Sequence, residues 1–187
     1  MSKKLLIFTG SPRKGSNSSF LALEAARGAR KAGAEVEVIN LAELKLNPCL
    51  ACESCRKRGP GECIQADDMK RIYPKLKKAK AIILAHPVYW FTINSQTKIF
   101  IDRWYAFGGD NYACFKGKKI GLILTYADAD VFSSGAVNAL RAYQDIFGYL
   151  GAEITGMVYA TAWKAASVKA TLKVQREAYK LGQEIVS

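Results

Sequence analysis

Two short stretches hold the residues whose types and spacing could do chemistry. The first is CLACESCRKRGPGEC, which sets Cys49, Cys52, Cys55 and Cys63 in the spacing C-x2-C-x2-C-x7-C. A reducing cytosol disfavours disulfides, and zinc sites usually take their cysteines as separated pairs. Three cysteines at three-residue intervals with a fourth nearby resemble iron–sulfur ligation more closely. Gly59 and Gly61 around Pro60 allow the loop to fold back around a cluster. Reactive thiols and a zinc site stay open as alternatives. Cys114 stands apart and reads as a small packing residue.

The second stretch is FTGSPRKGSNSSF, Phe8 to Phe20, between an apolar run and a helix-periodic one. Gly10 and Gly15 let the backbone approach a ligand closely. Ser11, Ser16, Ser18 and Ser19 supply hydroxyls, Asn17 an amide, and Arg13 and Lys14 charge. At a helix N-terminus, with its unpaired N–H groups and positive dipole end, this set suits an anion. The spacing Gly10-x4-Gly15 imitates a Walker A loop, but Ser16 stands where the lysine belongs, and no G-x-G-x-x-G is present. Nucleotide hydrolysis is thereby disfavoured. A loop of hydroxyls suits a single terminal phosphate; a polar turn with a serine N-cap is the plainer alternative. A third stretch, HPVYWFTINS (His86–Ser95), sets Tyr89, Trp90 and Phe91 beside the rigid Pro87. Such a cluster can pack against a flat ring or against the core. The run TYADA, Thr125–Ala129, follows another apolar segment in the same way.

Something must bring these stretches together. Lys4–Thr9, Glu35–Leu41, Ala81–Ala85, Ile120–Tyr126 and Ile154–Ala160 read as five strands, several of them apolar throughout. That pattern belongs to a parallel sheet covered on both faces. Between them, Leu21, Ala25, Gly28 and Ala32 share one helical face, as do Ala136, Leu140, Tyr143, Phe147 and Leu150, and Val174, Ala178, Leu181 and Ile185. Ser16 is placed to cap the first helix and Gly33 to end it. The reading is an α/β domain over residues 1–187, a doubly wound five-stranded parallel sheet of flavodoxin-like order 2-1-3-4-5, with a cysteine-rich loop at about 47–65. In such a sheet ligands bind beyond the carboxyl ends of the strands, where Phe8–Phe20, His86–Ser95 and Thr125–Ala129 fall. Asp67 and Asp68 are expected to start the second helix.

The formal net charge is +12, but Lys and Arg are scattered, and the densest run, Lys75, Lys77, Lys78 and Lys80, reads as a solvated helix end. Nucleic acid is disfavoured; an acidic protein partner or a phosphorylated cofactor fits the charge as well. No apolar stretch approaches the ~18–20 residues that span a bilayer. The four apolar residues after Lys4 are too few for a signal peptide. A cytoplasmic protein with no membrane partner is the expectation.

The motifs GSPRKGSNSS, DDM at Asp67–Met69 and HPVYWFTINSQTKIFIDR, in that order, resemble the NADPH-dependent FMN reductase group of flavodoxin-like proteins. The resemblance implies that Ser11, Arg13, Ser16, Asn17 and Ser18 line the FMN phosphate. It implies that Pro87, Val88, Tyr89, Trp90 and Phe91 hold the isoalloxazine ring, with Tyr126, Ala127 and Asp128 near its other edge. His86 departs from the more usual serine and receives no role. The cysteine motif is similar to that of the iron–sulfur flavoproteins, which makes Cys49, Cys52, Cys55 and Cys63 the expected ligands of a 4Fe–4S cluster. Together these imply an FMN-dependent oxidoreductase exchanging electrons with a ferredoxin-like carrier or NAD(P)H, assembled as a homodimer or homotetramer, with no side chain acting as acid or base. Two alternatives stand beside it: a cluster-free NAD(P)H-dependent FMN or quinone reductase, and a non-enzymatic electron shuttle or FMN-binding regulatory module.

Overall fold

The computed structural model describes residues 3–187; Met1 and Ser2, part of the amino-terminal stretch discussed above, lie outside the described residues. The strands are β1 (Lys4–Thr9), β2 (Glu35–Asn40), β3 (Ala81–Tyr89), β4 (Thr92–Ile93), β5 (Lys119–Tyr126) and β6 (Glu153–Thr161). The helices are α1 (Asn17–Lys31), α2 (Ser54–Arg58), α3 (Met69–Lys78), α4 (Ser95–Asp102), α5 (Ala136–Leu150) and α6 (Leu172–Ile185). Five strands run parallel in the order β2-β1-β3-β5-β6. With the short β4 set aside, this is the expected flavodoxin-like order.

The all-apolar strands are explained by burial on both faces. In β1, Leu5 and Ile7 point toward α1 and α6, while Leu6 and Phe8 point toward α3, α4 and α5, and all four are 0–1% exposed. Burying such side chains stabilises by roughly 1.5–3 kcal/mol each. On the first face α1 and α6 meet backbone to backbone. A Cβ on Gly28 would collide with the carbonyl of Tyr179, and one on Gly182 with that of Ala25. Among the described residues no helix is long and apolar enough to cross a membrane.

One departure matters for the site. β3 runs on to Tyr89, four residues past the expected end at Ala85, and turns back through Trp90 and Phe91 into β4, which pairs antiparallel with Val88 and Tyr89. Both turn residues are left-handed, with φ of 47° and 63°. Positive φ at both central positions is what a type I′ hairpin turn demands, and Asn-Gly is its usual sequence. Two bulky aromatics there carry backbone strain and no local signal, so the sixth strand was not legible.

Candidate functional site

The carboxyl ends of β1, β3, β5 and β6 enclose a cleft of about 230 Å³. Its floor begins where β1 ends. Gly10 N–H donates to the Ala85 carbonyl at 2.9 Å, and the Asn94 amide donates to the Gly10 carbonyl. Thr97 Oγ1, donating to Asn94 Oδ1 at 2.7 Å, occupies the place a Gly10 side chain would need. The chain then rises through Gly15, at φ 63°, into α1. Ser16 caps that helix: its Oγ accepts from Ser19 N–H at 3.2 Å and donates to Ser19 Oγ at 2.8 Å. The N–H groups of Asn17 and Ser18 belong to the set that no helix satisfies internally.

Ser11, Arg13, Ser16, Asn17, Ser18, Pro87, Val88, Tyr89, Tyr126 and Ala127 all line this cleft. The hydroxyl-bearing Ser11, Ser16 and Ser18 are buried, and Arg13 is exposed. Trp90, Phe91 and Asp128 are outside its wall. Trp90 and Phe91 form the hairpin tip and are 91% and 57% exposed. Phe91 packs against Gly135, and its carbonyl accepts from Asn138 Nδ2 at 3.1 Å. Asp128 Oδ1 accepts the N–H of Ala129 at 2.7 Å.

Two contributions were missed in sequence. Ala162, Trp163 and Ala165, just past β6, complete the cleft's far wall. A fifth strand end with an isolated tryptophan behind it was the available signal. Asn17 holds that wall: its Nδ2 donates to the Lys164 carbonyl at 2.8 Å, and its Oδ1 accepts from Val168 N–H at 3.2 Å. Both ends of its amide are thus spent on the protein. His86 is the second. It is completely buried beneath Pro87, with Nδ1 2.9 Å from the Pro87 carbonyl and Nε2 2.6 Å from Tyr143 Oη. A carbonyl only accepts, so Nδ1 carries the proton and Nε2 accepts from the tyrosine. Burial lowers its pKa to about 4 against the pull of the Pro87 carbonyl, so the imidazole stays neutral and fixes the start of the aromatic hairpin.

The cysteine segment lies elsewhere, against the turn after α4. Cys49, Cys52, Cys55 and Cys63 all line one small cavity of about 20 Å³, together with Arg103 and Tyr105. Cys49 and Cys52 are exposed, Cys55 is buried and Cys63 is half-buried. Hydrogen bonds from the Ser54 hydroxyl and N–H pull the Cys52 thiol below its usual value, while burial pushes Cys55 up. Among the described residues, no three His, Cys, Asp or Glu side chains are gathered as a single metal ion would require. Cys114 lies outside this cavity, packed against the core, and burial pushes its thiol up to about 11. Asp67 and Asp68 do precede α3, but their carboxylates reach back to the cysteine segment. Asp67 Oδ2 accepts from Asn47 N–H at 3.0 Å and Asp68 Oδ2 from Lys45 N–H at 2.7 Å.

A parallel sheet of this order, with a hydroxyl-lined helix start at its carboxyl edge, defines the flavodoxin-like class. Residues 3–165 match the NADPH-dependent FMN reductase family, and the chain belongs to it. It is similar to an iron–sulfur flavoprotein of Archaeoglobus fulgidus, 38% identical over 118 residues that cover 63% of this chain and 52% of that protein. It is also similar to an iron–sulfur flavoprotein of Methanocaldococcus jannaschii, 32% identical over 144 residues, covering 77% of this chain and 70% of the other. The chain spans about half the length of several of the curated relatives it matches. Among solved structures it resembles an NAD(P)H:quinone oxidoreductase from Methanothermobacter marburgensis, with a TM-score of 0.73 at 15% identity over all of this chain and 98% of that one.

Proposed function

We propose that this protein is an FMN-dependent oxidoreductase of the iron–sulfur flavoprotein type, exchanging electrons between FMN, a 4Fe–4S cluster and an acidic, ferredoxin-like carrier. The observation that carries the flavin is the cleft: buried hydroxyls at the start of α1 face the Pro87–Tyr89 wall across one opening. The donor set fits a phosphate monoester. Ser11 and Ser18 offer hydroxyls, Ser16 caps and so presents the start of α1 with its unpaired N–H groups, and Arg13 offers charge at the rim. Pro87, Val88 and Tyr89 are the apolar surface for the ring, held by His86 from below. Asn17 acts one step back, by fixing the Trp163 wall. FMN bound there supplies hydride or single-electron chemistry.

The cluster reading rests on four sulfurs lining one cavity and on the names of the relatives. Four thiolates are the donor set for a 4Fe–4S cluster. Cys49 and Cys52 on the exposed side, with Cys55 and Cys63 further in, would hold a cluster bound there. The +12 charge suits an acidic carrier. Assembly as a homodimer or homotetramer belongs to the same proposal.

Arg13→Ala tests the flavin site: FMN affinity should fall at least tenfold while riboflavin affinity barely changes, since Arg13 serves only the phosphate. Equal losses would remove the phosphate assignment. For the cluster, anaerobic reconstitution with iron and sulfide should load the native chain and Cys114→Ala, but not single alanine variants of Cys49, Cys52, Cys55 or Cys63. A folded, FMN-loaded chain that takes no cluster would leave the second reading, a cluster-free NAD(P)H-dependent FMN or quinone reductase, which the closed cavity favours. With ferredoxin as donor, electron transfer should slow as salt rises to ~0.5 M, because screening shortens the reach of the basic surface.

A further inference from the structure

Arg103 ends the stretch HPVYWFTINSQTKIFIDR, and its side chain is 1% exposed. Both of its Nη groups bond to the cysteine segment and to Asp67 just beyond it. Nη1 donates to the Asn47 carbonyl at 2.8 Å and to Asp67 Oδ2. Nη2 donates to Asp67 Oδ1 at 3.2 Å and to the sulfur of Cys63 at 3.4 Å. Asp67, whose side chain is 2% exposed, accepts in turn from the N–H groups of Asn47 and Met69. Tyr73 Oη donates to the Arg103 carbonyl at 3.1 Å and so pins the backbone from below. Both roots of the cysteine segment, Asn47 and Asp67, therefore converge on one buried cation that also touches one of the four sulfurs.

Stability alone does not account for this arrangement. A buried ion pair is often no better than an apolar pair of the same volume, because desolvation offsets the attraction. Holding three separate chain positions in one plane is what a guanidinium does and an ammonium does not. Hydrogen bonds to ligand sulfurs are among the features that set a cluster's reduction potential.

We propose that Arg103 is the positioning residue of the cysteine site: paired with Asp67, it fixes the roots of the segment and the Cys63 corner. By the same bond it would raise the potential of a cluster held there, because a buried N–H and a positive charge beside one ligand sulfur would favour the more negative, reduced form. The inference rests on the cluster reading of the previous subsection.

The test uses the full chain loaded with FMN, as native protein, Arg103→Lys, Arg103→Met and Asp67→Asn. After anaerobic reconstitution, Arg103→Lys should retain a cluster whose potential is shifted negative in a dithionite titration, with FMN content and FMN potential unchanged. Arg103→Met and Asp67→Asn should bind iron and sulfide several-fold less than native protein. Native-like loading and potential in all three variants would overturn the proposal. If native protein itself takes no cluster, the cluster reading falls, and limited proteolysis of the cluster-free chain decides the anchoring. Cleavage within residues 47–67 should be at least tenfold faster in Arg103→Lys than in native protein, and equal rates would overturn it. Should Arg103→Met fail to fold, the lysine and asparagine variants carry both arms.

Discussion

The cleft and the cysteine cavity share no lining residue and are built from different materials. Every wall of the cleft continues from a strand end. Gly10 is tied to Ala85 and Asn94, Pro87 stands on the buried His86–Tyr143 pair, and Asn17 straps down the segment after β6. The cysteine cavity hangs on a segment whose own helix, α2, has five residues. That segment is joined to the body at Arg103 and Asp67, and through Arg56, which stacks on Tyr105 and donates to the Gly108 carbonyl at 3.1 Å. The cleft is preorganised by the sheet. The cavity is anchored at its roots by side-chain bonds to Asn47 and Asp67.

Removing the anchor should break this comparison most visibly. Asp67→Ala leaves Arg103 buried and unpaired, which costs about 3–5 kcal/mol. Arg13→Ala, at the exposed rim of the cleft, should stay within about 0.5 kcal/mol. Urea unfolding of both variants measures the gap, and similar losses would mean the two regions are held alike.

Acid should loosen the two regions in sequence. His86 has a folded pKa of about 4, below the ordinary histidine value of 6.5. Between those values the unfolded chain binds the proton and the folded chain does not. Stability is therefore full above pH 6.5 and falls as pH drops toward 4, by about 3 kcal/mol in all. His86→Gln should flatten that slope in urea titrations. Asp67 responds lower: burial pushes its carboxyl up, but the Arg103 guanidinium and the Asn47 N–H outweigh it and hold it below the usual carboxylate value. Its contribution is lost only as pH falls through that lowered value. Loss of the cysteine segment's protection before that of the cleft, followed by hydrogen exchange on the way down, would reverse this order.

Two smaller effects concern the cleft and the hairpin beside it. Ser16→Ala removes the α1 cap and should cost about 1 kcal/mol in urea unfolding. Trp90→Asn relieves a left-handed aromatic that packs on little, being 91% exposed. It should stabilise by roughly 0.5–1 kcal/mol, read as a small rise in Tm. A loss instead would show that the exposed indole is held by contacts worth more than the backbone strain.

Much of the fold was legible because it is written in neighbours. The apolar runs at Leu5–Phe8 and Ile120–Leu124 read as buried parallel strands because each alternate side chain meets a helix layer. The Ser16 cap could be read because a cap is a local hydrogen bond. Residue type and spacing singled out Gly10–Ser19 and the four cysteines before folding, and members of each set line one cavity. Residue partnerships across the chain were not readable. Asp67 and Arg103 lie 36 positions apart, and Asn17 and Val168 lie 151 apart. Nothing in either local sequence says that an aspartate expected to open a helix turns to a buried guanidinium, or that an asparagine in an anion loop is consumed by a strap. Those choices follow from the strand order, which decides which loops share an edge, and from burial, which forces every polar group left inside to find a partner there.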